Sequence, residues 1–180
     1  MVTNKKAIVG VYVMLLFSII FTWQCRENIN EQDNFSTVNL TKAEIRMMAE
    51  RKEGILLFKA HATSTLGISD VPDSDSEKSD AESMLKTFNE NFAKIISFPS
   101  DSNCKLNKRE IIITEEGNQP VIRATYGINC DKRLHATDMT VDLAKFYPNI
   151  KTLSVVQPLI NTELKFEAGS NSRPGKVKIE

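Results

Sequence analysis

The chain has 180 residues, of which 41% are hydrophobic and 26% are charged. This composition excludes a disordered chain and provides enough apolar side chains for the core of one domain. Lysine and arginine together number 23, as do aspartate and glutamate, so the formal net charge is zero and nucleic acid is not an expected partner.

Residues 1–25 have the layout of an export signal. Lys5 and Lys6 precede a largely apolar, uncharged run over residues 7–22. The run is long for the apolar region of a signal peptide and slightly short for a membrane span of about 20 residues. The segment is therefore interpreted as a signal peptide or a membrane anchor, which makes the membrane a partner through this segment. The rest of the chain is expected in the periplasm or otherwise associated with the cell envelope, where disulfides persist.

Cys25 lies at the end of the apolar run, which is the place of the acylated cysteine in a bacterial lipoprotein. Trp23 and Gln24 precede it, whereas lipoprotein signals usually carry small residues there. Cys25 is thus a candidate for lipid attachment. The alternatives are that it leaves with a cleaved signal or stays in an uncleaved anchor.

Residues 26–42 are interpreted as a linker and residues 43–180 as a single globular domain. Alternating apolar and polar residues over 43–49 predict a half-buried strand. Thr41 and Glu44 have the spacing of a capping box, so a short helix is the rival prediction. A turn over 51–54 and a second strand over 55–62 complete a hairpin.

The acidic, serine-rich stretch 69–79 predicts an exposed loop that leads into a helix. Pro99 ends that helix near Ser97. The helix has an apolar stripe at intervals of three and four residues, formed by Ala81, Met84, Leu85, Phe88, Phe92, Ile95 and Ile96.

Several short alternating segments follow the helix. Strands are predicted over 111–114 and 121–130, which a turn at 115–118 separates, and at four later places around residues 139–143, 153–155, 164–166 and 176–179. The predicted fold class is α+β, an antiparallel sheet of six or seven strands with one long amphipathic helix.

A disulfide between Cys104 and Cys130 is the chemistry that the sequence supports best. If the hairpin turns about Gly117, opposed residues have numbers that sum to about 234, as those of the two cysteines do. Opposed α-carbons are close enough for a disulfide, and the compartment favours oxidation.

No residue qualifies as a catalytic or metal-binding candidate. His61 and His135 are the only histidines and neither has a partner at a ligand spacing. The carboxylates between Asp70 and Asp80 lack the central glycine and the terminal glutamate of a calcium loop. There is no nucleophile elbow and no phosphate-binding loop, so the chain is not expected to be an enzyme.

The order of several short blocks resembles bacterial periplasmic proteins of the ZrgA-like, zinc-regulated family. These blocks are the opening hairpin AEIRMMAERKEGILLFKAHATSTLGI, ISFPSDSNCKL after the helix, and then YGINC, VDLAKFYPNI and LSVVQPLI. The resemblance covers about residues 43–179. In the family, one cysteine follows the phenylalanine and proline that end the helix and another ends an aromatic strand, at the positions of Cys104 and Cys130.

The resemblance implies zinc binding in support of zinc uptake, through histidines in three segments. Here these segments read TVNLTK over 37–42, ISDVP over 68–72 and EEGNQP over 115–120, and none contains histidine. No residue is therefore assigned as a zinc ligand and no cofactor is expected, although the resemblance makes zinc the metal to test. The expected function is that of an exported, envelope-associated, non-enzymatic domain with a structural or interaction role and an unknown protein partner. The alternative is a periplasmic zinc-binding accessory protein.

Overall fold

The computed structural model describes residues 40–167 and 173–180 of the chain. The strands are β1 (Lys42–Glu50), β2 (Glu53–His61), β3 (Ile96–Ser97), β4 (Lys105–Glu116), β5 (Gln119–Asn129), β6 (Asp138–Val141), β7 (Thr152–Val156), β8 (Asn161–Lys165) and β9 (Gly175–Lys178). The helices are α1 (Ala62–Leu66), α2 (Asp75–Ile95) and α3 (Leu143–Phe146), with a 3-10 turn at Ser100–Ser102. The predicted linker and signal segment, including Cys25, lie almost wholly outside the described residues.

Six strands form one sheet in the order β4-β5-β2-β1-β7-β8, and a smaller sheet has the order β3-β6-β9. The α+β class is confirmed. One pair departs from the predicted antiparallel arrangement: β1 runs parallel to β7, with Ala43 opposite Leu153 and Ile45 opposite Val155. These four side chains are buried, so packing in the core accounts for a pairing that no local pattern predicts.

Strand β1 confirms the period-two interpretation of residues 43–49. Ala43, Ile45 and Met47 are buried, whereas the intervening residues are partly or fully exposed. The rival helix starting at Thr41 does not form. The three buried residues of β1 lie opposite three buried residues of β2, which are Ala60, Phe58 and Leu56. Both strands therefore contribute to one core face.

Helix α2 begins at Asp75, within the stretch that the sequence predicted to be a loop. Ser74 is its N-cap: the Ser74 hydroxyl accepts a hydrogen bond from the Glu77 backbone N–H, while the Glu77 carboxylate accepts one from the Ser74 backbone N–H. The hydrogen bonds that the Glu77 carboxylate accepts from the backbone N–H and the hydroxyl of Ser74, and from the backbone N–H of Asp73, lower the pKa of Glu77. The capping box adds a helical turn and a half before the first apolar residue, which explains the difference.

Aromatic side chains from both layers meet between α2 and the larger sheet. Phe92 stacks on Tyr126 with ring centroids 4.5 Å apart, and Phe58 lies 5.2 Å from Phe92 and 5.5 Å from Phe88. Phe88 also stacks on Tyr147 at 5.7 Å. Burial raises the pKa of Tyr147 to about 12 and raises that of Tyr126 further, so both phenols stay neutral.

The disulfide between Cys104 and Cys130 forms, with an S–S distance of 2.05 Å. The hairpin turn lies within the predicted stretch 115–118, but its centre falls between Gly117 and Asn118 and not at Gly117. The turn consists of Gly117 and Asn118, both with positive φ, so Glu116 lies opposite Gln119. An unbroken ladder from that turn would place Cys104 opposite Asp131. A β-bulge at Arg109 absorbs one residue of β4, and this shift brings Cys104 opposite Cys130.

Candidate functional site

His61 is the last residue of β2 and has an exposed fraction of only 2%. Burial lowers the pKa of its imidazole. The nearby carboxylate of Glu116 acts in the opposite direction and the ammonium of Lys59 lowers the pKa further. The ring is therefore neutral at pH 7, as a zinc ligand must be, but it is enclosed by the fold.

Lys59, Glu116 and Arg123 form an ion-pair group on the same face of the sheet as His61. The Lys59 ammonium lies 2.5 Å from one carboxylate oxygen of Glu116, and the Arg123 guanidinium binds the other oxygen, with Nε donating at 2.6 Å. The Glu116 carboxylate is thus already neutralised by two cations. A metal ion would have to displace them, so this group is a poor site for one.

His135 lies at the opposite end of the sheet from His61. The residue before it, Leu134, donates its backbone N–H to the Arg51 carbonyl in the β1–β2 turn at 2.6 Å. His61 ends the nine-residue strand that starts after this turn, and nine residues span roughly 30 Å at 3.3 Å each. The two histidines cannot share a metal ion.

The end of the sheet near His61 carries a cleft of about 370 Å³, which we call the acidic cleft. Two chain segments line it: Ser69, Asp70, Val71, Pro72 and Asp73 from the loop before α2, and Glu115, Asn118, Gln119 and Pro120 from the β4–β5 turn. Three of these lining residues are acidic and none is basic. The cleft therefore attracts cations.

Local sequence explains how the two segments reach the cleft. Gly67, with a φ of 74°, ends α1, and the Thr63 hydroxyl donates to the Ile68 carbonyl at 2.9 Å, so the chain turns immediately after the helix. The loop then runs to Ser74, where the capping box begins α2. On the other side, Gly117 and Asn118 form the tight turn that keeps Glu115 and Gln119 at the end of the sheet.

The potential metal ligands in the acidic cleft are carboxylate and side-chain amide oxygens. Such a set suits hard cations better than zinc, which binds most firmly to imidazole and thiolate. Within residues 40–167 and 173–180, no group of three or more histidine, cysteine, aspartate or glutamate side chains is arranged to hold a metal ion. The cleft as it stands is suited to weak and exchangeable cation contact.

Sequence reasoning missed this site because it treated the acidic loop and the β4–β5 turn separately. The loop follows β2 and the turn joins β4 to β5, and in the register His61 lies opposite Val121, which in turn lies opposite Thr114. The end of β2 and the β4–β5 turn must then occupy the same edge of the sheet. A prediction from the sequence that β2 pairs with β5 would have placed the two segments at one edge of the sheet and so revealed the cleft.

The two cysteines of the described part do not contribute to this site. Their disulfide lies at the end of the sheet that carries the β1–β2 turn, because the Cys130 backbone N–H donates to the Lys52 carbonyl at 2.8 Å. Their sulfurs are bonded to each other and are not thiolates. Cys25, the candidate for lipid attachment, lies outside the described residues.

None of the helices in the described ranges combines the length and the apolar character needed to cross a membrane. A search of curated proteins found no match to this chain. A family model with the description "ZrgA family zinc uptake protein" matches residues 41–157. The match contains β1 to β7, the disulfide and both segments that line the acidic cleft.

Proposed function

Because the chain belongs to the ZrgA family of zinc uptake proteins, we propose that it is an exported, non-enzymatic accessory protein that supports zinc uptake. Its site of cation contact would be the acidic cleft. One observation carries the proposal: two of the three segments to which the family resemblance assigns histidines, 68–72 and 115–120, line this single cleft. The described part of the third segment, residues 40–42, leads into β1 beside the end of β2, at the same edge of the sheet.

The donor chemistry of the cleft predicts how tightly zinc is held. A stable zinc site normally needs three or four ligands drawn chiefly from histidine, thiolate and carboxylate. This cleft offers the carboxylates of Asp70, Asp73 and Glu115 together with side-chain amide oxygens. It offers no nitrogen or sulfur ligand. We therefore expect the chain to bind zinc no tighter than about 10 µM at neutral pH, equivalent to roughly −7 kcal/mol.

Calorimetric titration of the full chain with zinc tests this expectation. The triple variant Asp70→Asn, Asp73→Asn, Glu115→Gln should lose the weak binding because it removes the carboxylates. Glu163→Gln on β8 is the matched control and should bind as the unmodified chain does, since Glu163 is an exposed carboxylate on the far edge strand.

Two outcomes would contradict the proposal. Equal weak binding by the triple variant would place the contact outside the acidic cleft. A stoichiometric, submicromolar isotherm that disappears in His61→Ala or His135→Ala would mean that a histidine site forms which the geometry of the fold disfavours.

A structural or interaction role without metal is the second candidate. It is favoured by the loss of histidine from all three segments and by the separation of His61 from His135. Complete absence of zinc binding by the full chain would support this role, because the fold would then have been kept without the ligands.

A further inference from the structure

A groove of about 850 Å³ lies at the end of the sheet opposite to the acidic cleft. Met48, Ile55 and Pro158 give it an apolar part, and the β1–β2 turn with Arg51 and Lys52 forms part of its rim. Met48 lies directly opposite Ile55 in the register, so the two side chains are on the same face of the sheet. The groove is a concave surface with an apolar part.

An exposed apolar tip stands beside this groove. The β7–β8 turn is closed by the Gln157 backbone N–H, which donates to the Ile160 carbonyl at 2.8 Å. Leu159 at its tip is 85% exposed, while Ile160 and Met48 are 41% and 42% exposed. Pro158, the residue before Leu159, itself lines the groove, so the tip and the groove form one continuous surface. Contiguous exposed apolar side chains of this kind mark interaction sites.

The groove also carries charged side chains of both signs. Glu50 lies directly opposite Glu53, an arrangement that is unfavourable in an isolated pair of strands. Arg51, Lys52 and Arg109 line the same groove. No ion pair joins any of these five side chains to another residue in the part of the chain that the structure describes.

We infer that this surface binds a second copy of the chain about a two-fold axis. An isologous interface requires one surface that is complementary to itself. This surface has both an apolar tip and an apolar groove. It also has both carboxylates and basic groups that form no ion pair with the described residues. A two-fold axis would place Leu159 of each copy in the groove of the other and would bring Glu50 and Glu53 towards the basic rim of the second copy. A surface that binds a different protein needs only a tip or a groove, and only one sign of charge, because the other protein supplies the complementary feature.

Formation of this dimer would not change access to the acidic cleft, on which the proposed function depends. The acidic cleft lies at the other end of the sheet, so each copy would keep its cleft accessible. The inference therefore stands independently of zinc binding.

Sedimentation velocity of the full chain in mild detergent, over a concentration series, tests the inference. The unmodified chain is expected to form dimers, and Leu159→Asp should raise the dissociation constant by roughly 30-fold or more, as for a residue central to an interface. Met84→Asp is the matched control, because Met84 is 40% exposed on α2 and lies outside the groove. A monomer at every concentration, or equal dimerisation of both variants, would overturn the inference.

Cross-linking gives a second measurement that does not depend on the stability of the Asp variant. In a Cys25→Ser background, a copy with Leu159→Cys and a differently tagged copy with Met48→Cys should form a mixed disulfide when expressed together. The same Leu159→Cys copy paired with Met84→Cys should not. Equal cross-linking in the two mixtures would contradict a two-fold interface through the groove.

Discussion

At the scale of single residues, His61 shows how the fold changes the chemistry of a side chain. Its sequence context indicated only that it has no partner at a ligand spacing. In the structure it is buried beside Lys59 and Glu116, and burial is the main cause of its lowered pKa. The proton that an exposed imidazole gains near pH 6.5 is therefore gained less readily in the folded state.

This shift predicts that the protein loses stability in mild acid. The folded pKa lies below the unfolded value of about 6.5, so the unfolded chain takes up the proton first as the pH falls. The contribution of His61 to the free energy of unfolding is thus fully present above about pH 6.5. It decreases as the pH falls through that value towards the folded pKa. Urea unfolding at about pH 7.5 and about pH 5.5, on either side of the histidine pKa, measures the difference.

His61→Gln should reduce the dependence of stability on pH over this interval, whereas His135→Gln should leave it unchanged. His135 is exposed, which makes it the natural control. A dependence that is the same in both variants would show that another group titrates.

At the scale of elements, helix α2 shows how far periodicity predicts packing. Its apolar stripe is largely confirmed, because Ala81, Phe88, Phe92 and Ile95 are buried. Met84 belongs to the same stripe by its spacing but is 40% exposed. Neither Met84 nor Ala81 belongs to the main hydrophobic cluster, which the stripe joins at Leu85.

Phe88→Ala is expected to lower the free energy of unfolding by about 3–5 kcal/mol, the usual cost of removing a buried phenylalanine side chain. Phe88 is 1% exposed and its ring contacts those of Phe58, Phe92 and Tyr147. Met84→Ala on the same helix is the control and should cost less than about 1 kcal/mol, because a surface side chain leaves no cavity. Denaturant unfolding of both variants makes the comparison, and similar losses would show that the ring cluster is not the main contact of α2.

At the scale of the whole molecule, the two ends of the six-stranded sheet differ in character. One end collects the carboxylates of the acidic cleft. The other end holds the disulfide, the β1–β2 turn and the groove with its exposed apolar tip. The formal net charge of zero is the sum over the chain and does not describe how the charges are distributed between these two ends.

The disulfide is expected to stabilise the whole domain by roughly 3 kcal/mol, the value that the chain-entropy model gives for a loop of this size. It joins residues separated by 26 positions across the β4–β5 hairpin. The double variant Cys104→Ala, Cys130→Ala should therefore unfold at lower denaturant concentration than the oxidised protein. Reduction of the unmodified protein should have the same effect, and it should not affect the double variant.

Two results would contradict this prediction. Alkylation that finds free thiols at both positions in protein isolated from the cell would mean that the bond does not form there. A double variant as stable as the oxidised protein would mean that the bond contributes nothing to the domain.

The sequence by itself determined the elements whose cause is local. Alternation over β1 and the three-four spacing of α2 predicted which side chains are buried, because a strand and a helix present their faces with fixed periods. The pairing of Cys104 with Cys130 also followed from the sequence, although the assumed centre of the turn was half a residue early and the bulge at Arg109 compensated for the difference. The start of α2 was equally local, and the Ser74–Glu77 capping box would have predicted it.

Only the tertiary structure decided which separate segments meet. The parallel pairing of β1 with β7 joins strands about a hundred residues apart, and the acidic cleft combines a loop before α2 with the turn after β4. The physical reason is that such contacts depend on the register between strands and on the packing of both sheets around one core, and neither leaves a periodic pattern within a single segment. For the same reason the sequence could name His61 and His135 as the only histidines, but the fold alone places them at opposite ends of the sheet.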